Sequence, residues 1–97
     1  MNKYLVTFYL DSFDEAFMSL IPDHRAMIND LLTNNVIETY AINSERTKGW
    51  ATFNAEDEET VIAHIDQFPI RSYIHYEIEK LFIFDNAMAL LPRFILN

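Results

Sequence analysis

Along the chain the spacing of apolar positions changes period several times, and each change predicts an element. Residues 3–10 are rich in β-branched and aromatic side chains and stop at Asp11-Ser12, which predicts a strand. Apolar residues then recur at Phe17, Leu20, Ile21, Met27, Ile28, Leu31 and Leu32, the three-and-four spacing of an amphipathic helix. Pro22 interrupts the stripe. Proline suits a first helical turn better than an interior, so the pattern predicts a turn or short helix up to Ile21 and a main helix over residues 22–34. Asn34-Asn35 supply its end, because Asn tolerates a left-handed backbone there.

Residues 36–43 and 49–54 read as two further strands joined by the polar loop 44–48, a hairpin. Glu56-Asp57-Glu58-Glu59 suit a helix start through the macrodipole. Val61, Ile62, Ile65 and Phe68 give that second helix its buried stripe, and Pro69 ends it. Residues 74–84 predict the last strand. It alternates at first, with Tyr76 and Ile78 on one side and His75, Glu77 and Glu79 on the other. From 81 to 84 both sides are apolar, as in a strand covered on both faces. The order β-α-β-β-α-β with right-handed crossovers gives a ferredoxin-like α+β domain: an antiparallel sheet with both helices on one face. The domain is expected over residues 1–85. Residues 86–97, with Met88, Leu90, Leu91, Phe94, Ile95 and Leu96 around Pro92, are expected as an apolar arm that packs on a partner subunit, with a short helix before Pro92.

Composition strengthens the expectation of a partner. Of 97 residues, 51% are hydrophobic and 14% aromatic, more than so short a chain can hide. A homodimer or higher oligomer follows, a dimeric α+β barrel if the sheets face each other. Seven basic residues against fifteen acidic ones, a formal net charge of −8, argue against nucleic acid and against an anionic membrane surface. With no cysteine, thiolate metal sites, disulfides and cysteine nucleophiles are excluded. No apolar run reaches the roughly 18 residues of a membrane span, and the start lacks a signal-peptide layout, so a cytoplasmic location is expected. One glycine, Gly49, cannot build a phosphate loop or a dinucleotide fingerprint. Lys48-Gly49-Trp50-Ala51-Thr52-Phe53 is like the third-strand signature of an RNA-recognition domain, but Thr52 and Asn54 stand where stacking aromatics are needed. RNA binding is rejected.

Candidate chemistry centres on His24, three residues after Ile21 and four before Ile28, within the stripe that faces the sheet. A histidine there is either a satisfied core residue or a general acid–base lining a pocket. Arg25 beside it is a solvated charge or an anchor for a ligand carboxylate. Tyr40 and Trp50, on paired strands, are core aromatics or pocket walls. Glu77 and Glu79, with His75, form either an interface ion-pair network with Arg71 or Arg93 or a pair of proton-moving carboxylates. His64 reads as solvated. His24, His64 and His75 show no metal-ligand spacing, so no metal is expected.

From the second strand to the end of the fourth, residues 36–84, the chain resembles the muconolactone δ-isomerase family. The likeness is carried by Trp50, Ala55-Glu56-Asp57-Glu58-Glu59, Phe68-Pro69-Ile70 and Tyr73-Ile74-His75-Tyr76-Glu77-Ile78. It departs from the family at Pro22-Asp23-His24-Arg25 and at Phe84-Asp85. The resemblance implies a ferredoxin-like domain that associates through its sheet. It also implies an isomerase-like proton transfer on a small organic acid or lactone without cofactor. Joined to the position of His24 on the helix face, it makes His24 the expected proton carrier and Arg25, Tyr40, Trp50 and Glu77 the expected substrate contacts. The alternative is a non-catalytic oligomeric domain that binds a small ligand or serves as a scaffold.

Overall fold

A computed structural model describes residues 1–87. The elements are β1 (Asn2–Leu10), α1 (Glu15–Thr33), β2 (Ile37–Ile42), β3 (Lys48–Ala55), α2 (Glu58–Asp66), a 3-10 turn (Arg71–Tyr73) and β4 (Ile74–Lys80). The strands form one sheet in the order β2-β3-β1-β4, every neighbouring pair antiparallel. β1 and β2 run parallel with β3 inserted between them, the split βαβ arrangement of the ferredoxin-like fold.

Helix ends are set by local chemistry. The Asp14 carboxylate accepts from the Phe17 amide at 2.8 Å and caps α1; Asp57 does the same for Thr60 at 2.9 Å in α2. At the other end of α1, Asn35 takes φ 59°. The Val36 amide then donates to the Leu31 carbonyl and the Asn35 amide to that of Leu32, the paired bonds of a Schellman stop. Pro22 does not divide the helix. α1 runs unbroken through it, contrary to the break expected there. Pro22 lies on the exposed side, where a carbonyl freed by the missing N–H can be solvated, and the buried stripe continues without a shift.

That stripe, with the apolar side of α2, covers one face of the sheet. The core comprises Tyr4, Val6 and Phe8 of β1, Ile37 of β2, Ala51 and Phe53 of β3 and Ile74 of β4, beneath Phe17, Ile28, Val61 and Ile65. Gly49 sits where β3 meets β2. A Cβ there would stand 2.6 Å from the Ile42 Cδ1 atom and 3.0 Å from the Ala41 carbonyl oxygen. The methyl can turn aside, but the carbonyl belongs to the ladder. Gly49→Ala is therefore expected to lower stability by about 1–3 kcal/mol, read from a urea midpoint. An unchanged midpoint would contradict this packing.

The last strand is shorter than its sequence pattern. It ends at Lys80, opposite Tyr4, although β1 continues to Asn2; beyond Lys80 the ladder persists only in the Leu81 amide, which donates to the Lys3 carbonyl at 2.8 Å. Residues 81–84 are therefore not a two-sided strand. The chain instead turns across the uncovered face of the sheet, where the Lys3 ammonium lies 4.8 Å from the Phe84 ring centroid and Asn86 donates to Glu38. Phe82 and Ile83 remain 97% and 70% exposed, so this segment carries apolar surface outward rather than burying it. The expected arm and its short helix fall mostly on residues 88–97, outside the described residues.

Candidate active site between the first helix and the sheet

Phe17, Ile21, His24 and Ile28 share the face of α1 that looks onto the sheet. His24 is 2% exposed and packs edge-on to Phe68, ring centroids 5.1 Å apart. Its Nε2 lies 3.0 Å from the Tyr40 hydroxyl. A β-bulge makes that meeting geometrically feasible. Ile37 pairs with Phe53 but Thr39 pairs with Thr52, so Glu38 is the extra residue. Without it, Ile37 and Tyr40, three apart, would face opposite sides of the sheet. With it both face α1, Tyr40 opposite Ala51. The bulge is held by the Thr39 and Thr52 hydroxyls, 2.8 Å apart, and by the Lys3–Glu38 ion pair at 2.7 Å. Lys3 also holds the Glu38 carboxyl below its usual pKa, chiefly through this hydrogen bond.

A cavity of about 370 Å³ opens beside the pair, within the range of small-molecule sites. Phe17 and Ile70 form buried wall; Phe13, Met18 and Ile42, each more than 40% exposed, also line it and mark its open side. Its polar groups are four: His24, Tyr40, Arg25 and Arg46. The Arg25 guanidinium lies 5.6 Å from the Tyr40 ring centroid, a cation–π distance. Burial, and then the charge of Arg25, lower the His24 pKa from 6.5 to about 4. Burial raises that of Tyr40, with Arg25 opposing it. At neutral pH the pair is thus an uncharged imidazole and an uncharged phenol.

One polar atom is left over. Among the described residues the Nδ1 of His24 is buried and has no hydrogen-bond partner. If Nε2 accepts the Tyr40 proton, Nδ1 carries a hydrogen with no acceptor; if Nε2 donates, Nδ1 is a bare lone pair. Either way a core is left with an unmet polar group, a defect of about 1–3 kcal/mol that packing alone does not explain.

The structure brings His24, Arg25 and Tyr40 to one cavity. Trp50 and Glu77 lie on the opposite, uncovered face: Trp50 pairs with Thr7 and Ala41, Glu77 with Thr7 across the β1–β4 ladder. Lys48 sits over both the Trp50 and the Tyr9 rings, at 5.6 and 5.5 Å. Glu77 and Glu79 do not find Arg71, which bonds Asp66 at 3.2 Å, while His75 pairs with Asp11 at 3.3 Å. His64 is not simply solvated: it stacks on Phe53, centroids 6.3 Å apart. Among the described residues no three His, Asp or Glu side chains converge as a metal site would require. Nor is any helix long and apolar enough to cross a membrane. Arg46 went unnoticed in the sequence because a lone arginine in a polar hairpin loop carries no periodic signal.

A split βαβ domain with an apolar, partly open cavity between helix and sheet, ending in a His–Tyr pair, is a ferredoxin-like α+β domain. No family model and no curated protein matches the sequence. The fold, however, is similar to that of muconolactone isomerase, with a TM-score of 0.73 over 89% of this chain and 94% of that one, at 12% identity. It is also similar to 5-chloro-2-hydroxyhydroquinone dehydrochlorinase from Burkholderia phenoliruptrix AC1100, solved with 2,5-dihydroxybenzoquinone. There the TM-score is 0.54 over 88% of this chain and 97% of that one, again at 12% identity. The resemblance read from the second to the fourth strand thus extends to the architecture of the described domain.

Proposed function

We propose that this protein moves a proton on a small cyclic, oxygenated compound, an unsaturated lactone or organic acid, bound in the cavity between α1 and the sheet. The observation that carries the reading is the buried His24–Tyr40 pair at 3.0 Å in the wall of an otherwise apolar cavity. His24 is almost fully enclosed and Tyr40 less so, so a ligand meets the phenol first. The phenol hands a proton to or from the ligand while the imidazole takes or returns its own through Nε2. Both solved proteins of similar fold named above act on ring compounds rich in oxygen, which agrees with this class. No metal or organic cofactor enters the proposed step.

The test is solvent exchange. Candidate unsaturated lactones and cyclic acids, held with the protein in D₂O, should take up deuterium at the activated carbon, followed by proton NMR. Tyr40→Phe should slow that exchange by about tenfold or more. Failure to accelerate exchange in any such compound would refute the proton-transfer reading. One observation favours a second reading, binding without chemistry: the 2% exposure of His24. Under it the same compounds bind and no exchange follows.

Self-association belongs to the same proposal. The uncovered face presents Leu5, Thr7 and Trp50, all incompletely buried in one chain, beside the exposed Phe82 and Ile83. A second copy laid on this face would cover them, and Trp50 and Glu77 would then serve the interface rather than the cavity. Light scattering is expected to give at least twice the chain mass, and Trp50→Glu to shift it toward a single chain. A wild-type monomer at micromolar concentration would overturn this part.

A further inference from the structure

We infer that the ligand of this cavity carries a carboxylate, and that Arg46, in the loop between β2 and β3, is the residue that selects for it together with Arg25. The inference rests on the small-molecule reading above and names the substrate's charged group. Of the seven basic residues in a chain of net charge −8, these two line one cavity. Among the described residues neither lies within ion-pair distance of a carboxylate; the ion pairs of basic side chains there belong to Lys3 and Arg71. The remaining lining is apolar apart from the uncharged His24 and Tyr40. Two free guanidinium groups on an apolar cavity are complementary to a molecule with an apolar ring and one anionic end. Guanidinium is the side chain that binds carboxylate in a fixed two-pronged geometry.

The backbone supplies an independent sign. Arg46 has φ 61°, a left-handed conformation that glycine adopts freely and other residues adopt at a cost. The loop is fastened in that shape. Asn43 Oδ1 accepts from the Thr47 and Lys48 amides at 2.9 and 3.0 Å, and the Arg46 amide donates to the Asn43 carbonyl at 3.0 Å. None of these bonds uses the Arg46 side chain. A position that favours glycine is filled instead by an arginine lining a cavity, and strain of this sort gathers where a side chain has a task.

The pairing also bears on the proton step. Arg25 is the second cause, after burial, of the low His24 pKa. A carboxylate against the guanidinium cancels that charge and leaves the imidazole a stronger base when the ligand is present. Substrate binding thereby prepares the base.

The experiment compares benzoate with its uncharged counterpart benzamide, followed by ¹⁵N–¹H NMR on the full-length protein and on Arg46→Gly, Arg25→Gln and His24→Ala. Benzoate should shift the resonances of cavity residues and bind at least about tenfold more tightly than benzamide. Arg46→Gly should lose about tenfold in benzoate affinity, leave benzamide unchanged, and melt no lower than wild type, because glycine relieves the left-handed strain. That combination separates a binding role from a structural one. Arg25→Gln should weaken benzoate similarly and serves as the check should Arg46→Gly disturb the loop. Equal affinity for benzoate and benzamide, full benzoate affinity in both arginine variants, or no benzoate binding at millimolar concentration would each overturn the inference. His24→Ala keeps the two proposals apart. If it exchanges substrate protons at the wild-type rate while benzoate binding still depends on Arg46, the proton-transfer reading falls and the carboxylate subsite stands.

Discussion

His24→Ala is expected to reduce proton exchange on a bound substrate by about 10²–10⁴-fold, the usual worth of one positioned acid–base group. Three observations converge on that size of effect. The imidazole is uncharged at neutral pH, because burial and Arg25 both disfavour its cation. It touches the only other titratable group of the pair, the Tyr40 hydroxyl, at 3.0 Å. Its other nitrogen is buried without a partner among the described residues. Deleting the ring removes the acceptor of the phenol proton and leaves Tyr40 to exchange with solvent alone. The variant should still fold, since it also removes the unmet polar atom, and its circular dichroism should match the wild type. Added imidazole should restore part of the rate through the space the ring vacates. Unaltered exchange in a folded His24→Ala protein would remove His24 from the mechanism.

The second large effect concerns acid stability. His24 titrates near 6.5 when unfolded and near 4 when folded. The unfolded chain therefore binds the proton first as pH falls, and stability declines through this window. The contribution is intact above pH 6.5, drains away between about 6.5 and 4, and is gone below the folded pKa. At 1.36 kcal/mol per unit, a fall from pH 7 to pH 4 costs about 3 kcal/mol through this residue. Against the 5–15 kcal/mol of a typical small domain, about 3 kcal/mol is a large share. Burial, to which the packing of Phe68 belongs, sets most of the effect and the charge of Arg25 on the same helix the rest; Tyr40 faces the imidazole from β2. Carboxylates contribute chiefly at lower pH: Asp57, whose carboxyl is held down by its bonds to Thr60, keeps its charge until the medium is more acidic. Urea titrations of wild type and His24→Leu at pH 7, 6, 5 and 4 isolate the term by difference. The wild-type curve should fall more steeply by about 3 kcal/mol over that range. Parallel curves would show that His24 is not desolvated as the structure has it.

Both expectations depend on a residue visible in the sequence and on a contact that is not. The spacing of Ile21, His24 and Ile28 is enough to place the imidazole on the sheet-facing side of a helix, because a 3.6-residue period admits no other placement once the stripe is known. The stop at Asn34-Asn35 and the acidic start of the second helix follow from equally local rules. The apolar run at 81–84 misled, because side-chain type reports a wish for burial and not where the chain leaves the ladder. β4 ends at Lys80 although β1 continues to Asn2, because the chain leaves the ladder there and crosses the uncovered face, bringing Phe84 to Lys3. Pro22 misled for a related reason. Its penalty inside a helix is local, about 3 kcal/mol, and a continuous buried stripe on the other side of the same helix outweighs it.

What the chain decides unaided is its set of elements, their order, the face on which His24 lies and the scarcity of positive charge. These are matters of period, turn chemistry and counting. The tertiary structure decides whom His24 meets. One extra residue, Glu38, sits in β2, so Tyr40 turns toward the helix while Trp50, on the next strand, turns away. A two-residue alternation cannot announce where it slips. The slip is fixed by how β2 pairs with β3 and by the Lys3–Glu38 bond across the sheet, contacts between residues far apart in the chain. The hairpin arginine reaches the cavity by the same route, through strands whose pairing carries residue 46 to the helix that bears residue 25.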